Sequence, residues 1–149
     1  MQFEELAFVC REAARDLITH EPRPLPVVVV LPGPHSTRLI RIPDWPDDDH
    51  ARFALMSTLA REEILATSTP AYGFLAEAEL VGGGDVLLVV YGARRHPPHV
   101  TAAPFEDSQI GEFSESEPLD PEAFPFLHPL QHAVDTVRQE PPGLPGFGA

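Results

Sequence analysis

The sequence predicts an α+β fold: a single domain with a roughly five-stranded antiparallel sheet and helices covering it. Three features predict it. Residues 86–91 (Val-Leu-Leu-Val-Val-Tyr) are the most apolar run of the chain. A β-branched run of that length reads as a strand buried on both faces. Gly82-Gly83-Gly84-Asp85 precedes it, a turn signal that joins it to a strand over 72–81 as a central hairpin. Upstream, Phe3, Leu6, Cys10, Ala13 and Leu17 recur at steps of three and four, one apolar stripe of a helix over 2–19.

Each element follows from local chemistry. The first helix carries Glu4 and Glu5 early and Arg11 and Arg15 later, in agreement with its dipole. Pro22 and Pro24 stop it. Residues 27–31 are a short apolar strand, and Pro32-Gly33-Pro34 turns the chain into a return strand over 37–42. That strand alternates Arg38 and Arg41 with Leu39, Ile40 and Ile42, a mixed pattern that suits a sheet edge. Asp47, Asp48 and Asp49 supply caps for a second helix over about 48–66, with Phe53, Met56, Ala60 and Ile64 as its inner row. After the central hairpin, 94–99 reads as a loop and 100–105 as a fifth strand. Residues 106–128 read as an acidic and Pro-rich irregular segment, 129–140 as a short C-terminal helix with Pro129 in its first turn, and 141–149 as a flexible Pro/Gly tail. The core domain is thus 1–105.

The resulting order is helix, two strands, helix, three strands, short helix. It is similar to the order of roadblock and other profilin-like scaffolds. The likeness is one of topology, and topology alone does not carry function.

Composition narrows the function classes. The chain has 149 residues and a formal net charge of -13. Residues 1–105 hold 14 acids against 9 arginines, and 106–149 hold 9 acids against 1 arginine. Such a surface argues against nucleic acid and anionic membranes, whose phosphates need a basic face. It favours solubility or a basic protein partner, while the edge strands of the sheet offer a surface for a homodimer. One cysteine, Cys10, makes an intrachain disulfide impossible and points to a reducing compartment. It sits on the first helix's apolar stripe and reads as an inert core residue. The acidic start, Met1-Gln2-Phe3-Glu4-Glu5, lacks the basic-then-apolar order of a secretory signal, so a cytoplasmic location is expected. No motif implies a cofactor or a metal.

Four groups of side chains are candidate sites. Glu77 and Glu79 share one face of a strand, roughly 7 Å apart. A two- or four-residue glycine turn pairs Val81 with Val86, setting Glu79 opposite Leu88 and Glu77 opposite Val90. A three-residue turn sets Glu79 opposite Leu87. Two carboxylates beside apolar partners suit an acid/base pair or a hard-metal site. They equally suit structural ion pairs with Arg38 or Arg41, which is the commoner arrangement. Arg94, Arg95, His96 and His99 form a candidate anion-binding loop. The bland alternative is that this loop pairs with the acidic 106–122 segment or lies in water. Trp45, flanked by Pro-Asp pairs, reads as a plug at the core edge or as an interaction anchor. His128 and His132 are four apart, but Pro129 between them places His128 at or before the helix start, so surface or capping roles are expected.

The expected function is therefore a small acidic protein-interaction module or homodimer without catalysis. The alternative is a small enzyme or ligand-binding protein built on Glu77 and Glu79, or on the Arg94–His99 group.

Overall fold

The computed structural model describes residues 2–106 and 109–137. The 141–149 tail and the end of the 129–140 helix lie outside the described residues. The chain forms α1 (Phe3–His20), β1 (Val27–Pro32), β2 (Thr37–Ile42), α2 (Asp49–Leu59), β3 (Ala71–Glu79), β4 (Asp85–Ala93), β5 (His96–Glu106), β6 (Gln109–Ile110), β7 (Glu117–Pro118) and α3 (His128–Thr136). A π-helical segment, Ala60–Leu65, extends α2, and a 3₁₀ turn, Pro125–Leu127, leads into α3. The fold is α+β, as expected. The sheet is antiparallel in the order β2-β1-β3-β4-β5, with β6 and β7 added at the two ends of β5's outer edge.

Both faces of the sheet are covered, which is why β1 reads as an unbroken apolar run. Val28 and Val30 pack under α1 with Leu75, Leu87 and Val89. Val27, Val29 and Leu31 face α2 and α3 with Phe74 and Val90. A fully buried Leu or Val contributes about 1.5–3 kcal/mol relative to its exposed state. α1 lies close against β3 because Gly73 has no side chain: a Cβ there would collide with the Cys10 sulfur.

Three local expectations are corrected. The glycine turn spans five residues, Leu80 to Gly84, and the register is Glu79 opposite Asp85, Ala78 opposite Val86 and Glu77 opposite Leu87. All three glycines take positive φ, at 100°, 107° and 95°, and the Leu80 N–H donates to the Gly84 carbonyl at 3.0 Å. This wide turn removes Leu80 and Val81 from the strand and leaves both exposed. Next, His96 and His99 lie on β5 and not in a loop. Arg94 and Arg95 alone make the turn, with Arg95 in the left-handed region at φ 64°. Pro97 and Pro98 are tolerated because the β4–β5 register shifts there as a bulge. Finally, Phe53 is exposed, and the inner row of α2 and its π-helical extension is Met56, Leu59, Ala60 and Ile64.

Two side chains of α3, Gln131 and Asp135, tie it to the strands and to the β4–β5 turn. Gln131 accepts from the Tyr72 hydroxyl at 3.0 Å and donates to the Ala93 carbonyl at 3.0 Å. The Arg95 N–H donates to Asp135 Oδ1 at 2.8 Å.

Candidate functional site

Glu77 stands on the α1 face, opposite Leu87. Its Oε1 accepts from the Leu25 N–H at 2.7 Å, and its Oε2 accepts from Arg23 at 3.3 Å. Arg23 also binds Asp85 at 2.7 Å, and its guanidinium lies 4.5 Å from the centre of the Phe105 ring. These two carboxylates hold the guanidinium pKa above its ordinary value, the Asp85 hydrogen bond being the larger cause. The partner is thus Arg23, and not Arg38 or Arg41. Arg38 pairs with Glu63 and Arg41 with Glu21, each at 2.7 Å. Glu79 is exposed beyond this network. Both oxygens of Glu77 are engaged in holding the segment before β1 against the hairpin.

The Arg-His group is split by the two faces. His96 stacks on Phe3 with ring centres 4.8 Å apart, and His99 meets Phe3 edge-on at 5.2 Å. Tyr91 completes this aromatic cluster under the start of α1. Arg95 is exposed, and its backbone is bound to α3 on the other face. Arg94 is half-buried, its N–H donates to the Pro70 carbonyl at 2.8 Å, and its buried Nε has no hydrogen-bond partner among the described residues. The four side chains do not converge on one cavity.

His128 opens α3 and His132 lies one turn on, both exposed. The His128 ring contacts the Pro121 carbonyl at 2.9 Å. Among the described residues no group of three or more His, Cys, Asp or Glu has metal-holding geometry. Cys10 is fully buried, and desolvation pushes its thiol up to about 12, against a weaker opposing effect of Arg11. Burial likewise raises Tyr72, with Asp135 adding to the shift.

Two further features involve residues already singled out in the sequence, the acidic segment and Trp45, in arrangements that the sequence does not reveal. One is an acidic strap. Residues 109–119 run back along the outer edge of β5, held mainly by backbone bonds. Gly111 donates to the Pro104 carbonyl, Ser114 to Ala102 and Leu119 to Pro98, at 2.8, 2.8 and 2.9 Å. Arg11 donates to the Ser116 hydroxyl at 2.9 Å, and Arg11 and Arg15 stack over Phe113. The acidic segment is, over its described residues, mostly exposed and without regular structure apart from the short β6, β7 and the 3₁₀ turn. Its backbone is nonetheless pinned, while the strap's Glu112, Glu115 and Glu117 and the flanking Glu106, Asp120 and Glu122 stay exposed. None of these six has an ion-pair partner among the described residues.

The other feature is a groove of about 330 Å³ on the face opposite α1, near the glycine-turn end of the hairpin. Trp45 sits at the edge of the core, packed against the α2/α3-side cluster. It is half-buried, packs on Phe74 and Phe126 with ring centres 5.6 and 5.2 Å apart, and lines the groove. Leu88 and Arg52 line it too. Arg52 sits on α2, where Asp48 caps the helix by accepting from the Ala51 N–H at 2.9 Å.

No helix among the described residues is long and apolar enough to cross a membrane. No protein-family model, curated protein or solved structure matches this chain, so its likeness to roadblock and profilin-like scaffolds rests on element order alone.

Proposed function

We propose that this chain is a non-catalytic protein-interaction module that recognises a basic partner through the acidic strap. One observation carries the reading. The strap's backbone is bonded to β5 and its Ser116 hydroxyl to Arg11 of α1, yet its three carboxylates, Glu112, Glu115 and Glu117, face solvent without a counter-charge among the described residues. An ordered run of unpaired acids loses little conformational freedom on binding and steers a basic surface by long-range attraction. The enzyme alternative loses ground because Glu77 is committed to Arg23 and Leu25, and the Arg-His group is divided between two faces. A reduced, buried Cys10 fits a cytoplasmic setting.

Self-association is the second reading. β2 is the open edge of the sheet, with Leu39 exposed on it, and an open edge can pair with a second copy. Light scattering, run beside affinity capture from native lysate with stepped salt washes, separates the two. Capture of a basic protein that elutes as salt rises supports the strap. A dimer in the absence of any partner supports the edge. A strict monomer with no salt-sensitive partner contradicts both.

A further inference from the structure

We propose that the Trp45 groove binds a small monoanionic carboxylate with a flat apolar body, and that Arg52 reads the carboxylate. This site is separate from the strap, and its test stands or falls without the protein partner.

The groove has the two parts that such a ligand needs. Its walls are aromatic: Trp45, Phe74, Phe124 and Phe126 lie within one chain of ring contacts, with centres 5.2–5.8 Å apart. Leu88 and Ala76 add aliphatic surface and are only half-buried, because the helices on this face leave them open. A volume of about 330 Å³ is at the small end of the range for ligand pockets, roughly 300–1,000 Å³. It suits one ring with a short chain.

The second part is a positioned cation. Arg52 lies 5.3 Å from the Trp45 ring centre and 5.7 Å from that of Phe126. Its Nε donates to the Pro46 carbonyl, so the guanidinium is held by stacking and by one of its donors. Asp49 forms a long, mostly exposed ion pair with it, 3.6 Å from Nη1, a distance beyond hydrogen bonding, so a ligand carboxylate would compete with a screened partner and not with a hydrogen-bonded one. Both terminal nitrogens of Arg52 therefore lack a hydrogen-bond acceptor among the described residues. A planar fork with free donors, fixed beside an apolar slot, matches a carboxylate in a bidentate pair.

Charge sets the ligand's class. Among the described residues Arg52 is the single cation lining the groove, in a chain of net charge -13, with Asp49 ion-paired to it and the already paired Glu77 also on the lining. One guanidinium in that setting suits one negative charge. A phosphate ester or polyphosphate would bring more charge than the site can balance.

The probe is 3-phenylpropanoate, compared with its neutral amide at matched ionic strength. Trp45 is the chain's only tryptophan and lines the groove, so its fluorescence reports occupancy directly. Saturable change in the millimolar range is expected for the acid, with the amide weaker by about tenfold. Arg52→Met keeps much of the stem's packing and removes the charge, and should abolish that preference while circular dichroism confirms the fold. The acid-against-amide comparison on the unmodified chain decides the matter even if the variant fails to fold. Equal binding of acid and amide overturns carboxylate recognition. No saturable change up to about 20 mM overturns the site. Tighter binding of a short peptide with a free C-terminal Phe overturns the small-molecule class.

Discussion

The two faces of the sheet use the same strands and end differently. Under α1, Leu87, Val89 and Leu75 are sealed, and the carboxylate that emerges at the margin, Glu77, is bound by Leu25 and Arg23. Under α2 and α3, the adjacent residues Leu88 and Ala76 stay half open beside Trp45 and Arg52. The face with the more chemical-looking residue is the closed one. Reactive residue types thus mark a site only when their hydrogen-bonding capacity is left unspent. Glu77 has spent its capacity. The terminal nitrogens of Arg52 and the carboxylates of Glu112, Glu115 and Glu117 have no hydrogen-bond partner among the described residues, and these are the groups proposed to bind.

The sharpest way to break this contrast is a pair of truncations one residue apart. Leu87→Ala should cost about 2–5 kcal/mol, since it opens a cavity in a sealed layer. Leu88→Ala should cost about 1 kcal/mol, because its side chain is partly in water already. Denaturant unfolding of both variants gives the comparison, and equal losses would mean that the two faces are equally closed.

A smaller effect is expected at the hairpin carboxylates. Glu77→Ala strands the Leu25 N–H, at about 1–3 kcal/mol, while Arg23 keeps its pair with Asp85. Glu79→Gln should stay within about 0.5 kcal/mol. If Glu79→Gln matched Glu77→Ala in thermal denaturation, the ion-pair assignment would be wrong.

The smallest effect is a dependence on pH. The folded chain holds the Cys10 proton to about 12, whereas the thiol's ordinary value is 9.0. Below pH 9 both states are protonated and this group costs nothing. Above it the unfolded state releases a proton that the folded state keeps, so stability falls as pH rises, by at most about 1.4 kcal/mol per pH unit. Tyr72 acts with the same sign at higher pH, so the difference between the native chain and Cys10→Ala isolates the thiol. Parallel melting curves for the two chains between pH 8.5 and 10 would show that Cys10 is not sealed.

Much of the architecture is legible in the residues. The stripe of α1, the apolar runs of β1 and β4, and the mixed edge strand β2 each declare their burial by period and composition. The register of the central hairpin is not legible, because three consecutive glycines permit several turn lengths with different cross-strand partners. Nor is the partner of Glu77: Arg23 lies 54 positions away, between two prolines, and only the folded path before β1 brings it to the hairpin. The groove stays hidden for a similar reason. Trp45, Arg52, Phe74 and Phe126 come from four separate stretches, each of which reads locally as ordinary core or surface. The strap misleads by its polarity, which suggests an unheld segment, while its anchoring is carried by backbone groups that composition does not reveal.

The most direct test of the proposed interaction compares two charge-matched variants with the unmodified chain in the same lysate capture. One neutralises the strap at Glu112→Gln, Glu115→Gln and Glu117→Gln. The other neutralises three exposed acids elsewhere, Asp44→Asn, Asp47→Asn and Glu62→Gln. The expected result is loss of the basic partner from the strap variant alone. Equal retention by both variants, or equal loss from both, would contradict a partner site on the strap.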